Sequence, residues 1–104
     1  MIKKLRLMLE YNTYCVWLYD ENDEIIDNDN PPEWNDDQQL TDAFMAVSDL
    51  YDTFFIDNKT DFLYIGCPDD ETRQELMRRI DYAVHLLYEK NAGKYTIVND
   101  ITFV

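Results

Sequence analysis

Residues 2–19, IKKLRLMLEYNTYCVWLY, decide how the chain begins to fold. Leu5, Leu7 and Leu9 alternate with Lys4, Arg6, Met8 and Glu10. That period of two predicts a half-buried strand over 2–11. Tyr14 to Tyr19 is aromatic and β-branched, which suits a pleated surface, and predicts a second strand. Asn12-Thr13 between them reads as a tight turn. The chain therefore opens as a β-hairpin. Asp20 to Asp23 form a further turn, and Glu24 to Ile26 resume an extended path, which would make the opening a short meander.

Beyond this hairpin, residues 27–35 (DNDNPPEWN) read as a loop, because Pro31 and Pro32 lack N–H groups and bar a helix. A helix should begin near Asn35 or Asp36, either of which can cap it. Leu40, Ala43, Phe44, Val47, Leu50 and Tyr51 recur at three- and four-residue spacing, so it should run to about Tyr51. Residues 53–57 (TFFID) and 61–67 (DFLYIGC) flank Asn58-Lys59-Thr60 and predict a second hairpin. Pro68 stops that strand and Asp69 caps the next helix, whose inward stripe is Leu76, Ile80, Ala83, Val84 and Leu87. Asn91 to Gly93 end it. Tyr95 to Val98 form a last strand, with Ile101 to Val104 as an extension. The order is ββ-α-ββ-α-β. The expected class is α+β, in two layers: a mainly antiparallel sheet with two helices on one face.

All 104 residues are expected to form one domain, with 46% hydrophobic and 14% aromatic residues to build its core. Gly66 and Gly93 are the only glycines. A P-loop or dinucleotide-binding loop needs several, to bring backbone N–H groups onto phosphate. Lys3, Lys4 and Arg6 could open a signal peptide, but Glu10 interrupts the apolar run at once. No apolar run approaches the ~18 residues of a membrane span. Cys15 and Cys67 stand far apart without CxxC spacing and read as two reduced thiols. A cytoplasmic protein with no membrane partner is the expectation.

Charge is distributed unevenly. The net charge is −13, from 9 Lys and Arg against 22 Asp and Glu. No base occurs between Leu7 and Asn58, a window that holds 14 acids. The remainder is nearly neutral. Such a field repels nucleic acid and anionic membrane and steers a basic protein toward it.

The chain offers little for catalysis, and no enzymatic activity is expected. His85 is the only histidine and falls on the second helix beside Asp81, Tyr82, Tyr88 and Glu89 at helical spacing. Ser48 sits mid-helix rather than in a nucleophile elbow. Cys15 lies among apolar residues, which makes it inert. Three scattered Cys and His residues are too few for a zinc site. Asp20-x-Asn22-x-Glu24 begins like an EF-hand loop, but Ile25 stands where glycine is needed and Pro31 where glutamate is needed. Neither metal nor cofactor is expected. The aromatics Tyr11, Tyr14, Trp17, Tyr19 and Tyr64 fit sheet packing better than a base-stacking platform, given the charge.

The candidate binding residues are therefore the acids of the 20–37 loop with its tryptophan: Asp20, Glu21, Asp23, Glu24, Asp27, Asp29, Glu33, Trp34, Asp36 and Asp37. Trp34 either folds back over the edge of the core or serves as an interface anchor, since tryptophan offers large contact area at small rotamer cost. The opening strands (LRLMLEYNTYCVWLYDENDEIID, 5–27), the acidic proline loop (NDNPPEW, 28–34) and the helix after it resemble the small immunity proteins of bacterial polymorphic toxin systems. The resemblance implies a cognate toxin as partner, for instance a nuclease, whose phosphate-binding groove an acidic surface can occupy. Two other readings use the same composition. One is a nucleic-acid mimic from a phage or mobile element that blocks a defence enzyme, although its acids should spread along an extended face rather than bunch. The other is an acidic structural or regulatory protein with no basic partner.

Overall fold

A computed structural model describes residues 1–58 and 61–102. The strands β1 (Ile2–Leu7), β2 (Val16–Asp20) and β3 (Ile25–Asp27) pair as an antiparallel meander. One turn of 3₁₀ helix, Pro32–Trp34, leads to helix α1 (Gln38–Asp52). A short hairpin, β4 (Phe55–Asp57) with β5 (Phe62–Tyr64), precedes the long helix α2 (Asp70–Asn91). Strand β6 (Thr96–Asn99) closes the order.

Register explains where the core sits. Leu5 faces Leu18 and Leu7 faces Val16 across β1 and β2, so these four share one face of the sheet. Leu40, Phe44 and Val47 of α1 and Leu76, Ile80, Ala83 and Leu87 of α2 join them in a single cluster. Lys4, Arg6, Trp17 and Tyr19 occupy the other face. There the Lys4 ammonium lies 4.6 Å from the centre of the Tyr19 ring, and Arg6 donates to the Tyr19 hydroxyl at 3.3 Å. The basic side chains of Lys4 and Arg6 thus lie over the Tyr19 ring and its hydroxyl.

The α+β class stands, as do two helices over one sheet face. The main sheet is mainly antiparallel as expected, in the order β3-β2-β1-β6, and the one parallel pairing is β6 with β1, with Leu5 beside Ile97. One topological expectation needs correction: the second hairpin does not join this sheet, and β4 and β5 form a separate two-stranded one. Boundaries also shift. The first strand ends at Leu7 rather than Tyr11, and the second begins at Val16 rather than Tyr14. The loop between them is held partly by Asn28, whose side-chain amide donates to the Tyr14 and Val16 carbonyls and accepts from the Tyr14 N–H. Asn28 thereby prolongs β3 by one imitation residue. Helix α1 starts one position later than expected, capped by Asp37, which accepts from the Leu40 N–H at 3.0 Å. Asp69 caps α2 as predicted, accepting from Thr72 at 2.7 Å. Val84 is only half-buried. Lys59 and Thr60 of the expected turn, and Phe103 and Val104 of the expected extension, lie outside the described residues. Among the described residues no helix is long and apolar enough to cross a membrane.

Candidate functional site

The ten candidate residues occupy one continuous path, from the end of β2 to the start of α1, but they do different work. Asp20 closes the β2–β3 turn by accepting from the N–H groups of Asn22 (2.8 Å) and Glu24 (3.0 Å). Asp23 takes the left-handed φ of 64° that this turn requires and meets the Lys4 ammonium at 2.6 Å. That hydrogen bond and charge hold its carboxyl below the usual range. Glu21 lies 3.6 Å from the terminal amine. Asp27 and Asp29 each accept from the next residue's N–H, at 2.8 and 2.7 Å. Glu24 and Asp36 have exposed carboxylates with no partner among the described residues.

Under this loop is a buried polar seam. Asn30 is enclosed, accepts from the Tyr14 hydroxyl at 2.9 Å and donates to the Thr41 hydroxyl at 3.3 Å. Burial pushes the Tyr14 phenol well above its ordinary value. The 20–37 segment is thus stitched to β2 and α1 rather than draped over them.

Glu33, Trp34 and Asp37 fasten its far end. Glu33 accepts from Lys94 and, at 2.8 Å, from the Tyr95 hydroxyl; Lys94 above all lowers its carboxyl. Trp34 is half-buried against the core and packs edge-to-face on Tyr95, ring centres 5.8 Å apart. Asp37 caps α1 and pairs with Lys90 near the end of α2, whose hydrogen bond is the main cause of its lowered pKa. Glu33 and Asp37, with Asp23 nearer the start of the segment, are therefore joints of the fold.

The charge left over is the notable quantity. Of the 14 acids between Leu7 and Asn58, Asp23, Glu33 and Asp37 meet lysines and Glu21 meets the terminal amine. The other ten have no cationic partner among the described residues: Glu10, Asp20, Glu24, Asp27, Asp29, Asp36, Asp42, Asp49, Asp52 and Asp57.

A second surface feature was not anticipated. The β4–β5 hairpin leaves Ile56, Phe62, Leu63, Tyr64 and Ile65 between 42% and 58% exposed. Its sequence, TFFIDNKTDFLYIGC, reads like a core strand pair. The unbroken run Phe62 to Ile65 deepens that impression, because it lacks the alternation of a sheet with one wet face.

Groups suited to chemistry are dispersed. His85 is exposed and meets Glu89 on its own helix at 2.9 Å. Cys15 is buried against Ser48, Sγ to Oγ 3.2 Å, and desolvation pushes its thiol up to about 11. Among the described residues no three His, Cys, Asp or Glu side chains are grouped to hold a metal ion. Compared with protein-family models and with proteins of curated function, the chain matches none.

Proposed function

We propose that this chain is a protein-binding inhibitor that docks a basic partner through its acidic surface, as an immunity protein docks its toxin. The observation that supports this is the set of ten carboxylates, on a base-free half of the sequence, that no cation among the described residues pairs with. Complementary bases on a partner would steer encounter and set orientation. The 20–37 segment is held by Asn28, Asn30, Trp34 and three lysine contacts, so its charges are presented on a fixed frame and little ordering opposes binding. Free thiols at Cys15 and Cys67 fit action in a reducing compartment such as the cytoplasm.

The test uses the immobilised chain on lysate and secreted fractions of the source cells at low salt, followed by a wash at about 0.5 M salt, which shortens the screening length to about 4 Å. One basic protein should survive the wash. It should be lost from a Glu24→Lys, Asp27→Lys, Asp29→Lys variant, and its activity should fall on co-expression with the wild-type chain. Retention of nothing, or of a mixed set of basic proteins that the wash removes together, would count against the proposal.

A further inference from the structure

Hairpin β4–β5 has apolar side chains on both of its faces. Phe55 faces Tyr64 and Asp57 faces Phe62 in register, so these four share one side. That side is fastened to the domain by aromatic contacts: Tyr11 approaches Phe55 at 4.8 Å and Phe62 at 5.0 Å, and Tyr51 approaches Phe55 at 5.2 Å. Ile56 and Leu63 are paired on the opposite side, and each remains about half exposed. Contiguous apolar surface of this kind marks a contact site rather than ordinary scatter. The strand edges agree, since neither β4 nor β5 has a second neighbouring strand among the described residues.

Charge selects the occupant. Asp57 lies on β4 and accepts from the Tyr11 hydroxyl at 3.3 Å. Asp52 accepts from the Asn12 N–H at 3.1 Å in the loop that cradles the hairpin, and Glu10 belongs to the same loop. A second copy would set these carboxylates against their own images, on chains of charge −13. Nucleic acid and anionic lipid are opposed in the same way. A protein segment with apolar residues for Ile56 and Leu63 and bases for the rim satisfies both demands. Extended backbone suits the outer edge of β4, which no further strand covers among the described residues.

We infer that the β4–β5 hairpin is a docking platform for an extended partner segment in which apolar residues alternate with lysine or arginine. This rests on the proposal that the chain binds a basic protein, and it moves the apolar centre of that interface away from residues 20–37.

The probe is a phage-displayed library of random twelve-residue peptides, selected on the intact chain at physiological salt. Enriched peptides should alternate apolar residues with lysine or arginine. They should bind at least tenfold more weakly to an Ile56→Thr, Leu63→Thr variant and to the separate Ile65→Thr variant. Threonine keeps strand preference, and unchanged circular dichroism and melting confirm the fold. The Glu24→Lys, Asp27→Lys, Asp29→Lys variant should bind them within about twofold of wild type. Failure to enrich such peptides, or equal affinity for the threonine variants, overturns the inference. So does a dimer of the free chain that the threonine variants dissociate, because a second copy then covers the face. Loss of peptide affinity only in the lysine variant sinks the hairpin and leaves the inhibitor proposal standing. Peptides that need Ile56 and Leu63, from a chain that captures no basic protein, do the reverse.

Discussion

Replacing Trp34 by alanine tests how the acidic loop is built. If the indole is a lid on the core edge, its removal must weaken the fold. Truncating a fully buried Trp or Phe costs about 3–5 kcal/mol. Trp34 is half-buried, so roughly half of that applies, about 2 kcal/mol. Its edge-to-face contact with Tyr95 accounts for ~1 kcal/mol of this. For a domain of this size the melting point should fall by about 8–16 °C.

Thermal and urea unfolding followed by far-ultraviolet circular dichroism measure the loss directly, and a double-mutant cycle isolates the ring pair. Trp34→Ala combined with Tyr95→Leu should cost ~1 kcal/mol less than the two singles added. The Tyr95 bond to Glu33 cancels in that cycle where it is independent of the indole. Trp34→Phe should recover much of the loss. A Trp34→Ala protein within ~0.5 kcal/mol of wild type would refute the lid and leave the indole available as an interface anchor.

Three further outcomes follow from the same geometry. Cys67 should react with a thiol reagent at pH 8 in the folded state, and Cys15 at least about 100-fold more slowly, given its raised pKa and burial; equal rates would place Cys15 outside the core. Ser48→Ala should cost about 1–3 kcal/mol by urea unfolding, because the Ser48 hydroxyl donates to the Thr13 carbonyl at 3.1 Å and contacts the Cys15 thiol; a neutral substitution would show water replacing it. The carboxyls of Asp23, Glu33 and Asp37 are held below their unfolded values, so their contribution is present above those values and is lost as pH falls through the folded ones. The stability gap between wild type and a Lys4→Met, Lys90→Met, Lys94→Met variant should thus be full above about pH 5 and close as pH drops below about 4; a gap unchanged at pH 2 would refute the pairing.

Local chemistry made much of this fold legible. Pro68 and Asp69 announce the start of α2, and the spacing of Leu40, Phe44 and Val47 gives the inward stripe of α1. The alternation of Leu5 and Leu7 with Lys4 and Arg6 sets the two faces of β1. What stayed hidden depends on partners far along the chain. Nothing near Ile97 reveals that β6 pairs parallel with β1 more than ninety residues earlier. Asp23, Glu33 and Asp37 look like ordinary members of an acidic run until Lys4, Lys94 and Lys90 arrive from other elements. The β4–β5 pair misleads for a different reason. A run of Phe, Leu, Tyr and Ile signals burial, but a two-stranded sheet outside the main one is covered on one face at most, and Ile56, Phe62, Leu63 and Tyr64 all meet solvent.

The placement of the bases bears on why the charge is there. Crowded like charges oppose a compact state. Lys4, Lys90 and Lys94 each tie an acid of the base-free stretch to an element outside it, at three separate points. Arg78 and Arg79 both turn to Glu75 on their own helix. The three lysines therefore act as fasteners between elements, and among the described residues the ten remaining carboxylates are left to repel one another. Surface pairs contribute little, with a median of about 0–1 kcal/mol each, and they weaken in salt. Unscreened repulsion among ten carboxylates should exceed three such contacts. The free chain is accordingly expected to melt at a higher temperature in 0.5 M than in 0.02 M sodium chloride, and fluorescence or calorimetric scans will show the sign. A lower melting point in salt would mean that the lysine fasteners outweigh the repulsion. The acidic surface would then be no burden to the isolated fold, and the strain that a basic partner is proposed to relieve would not exist.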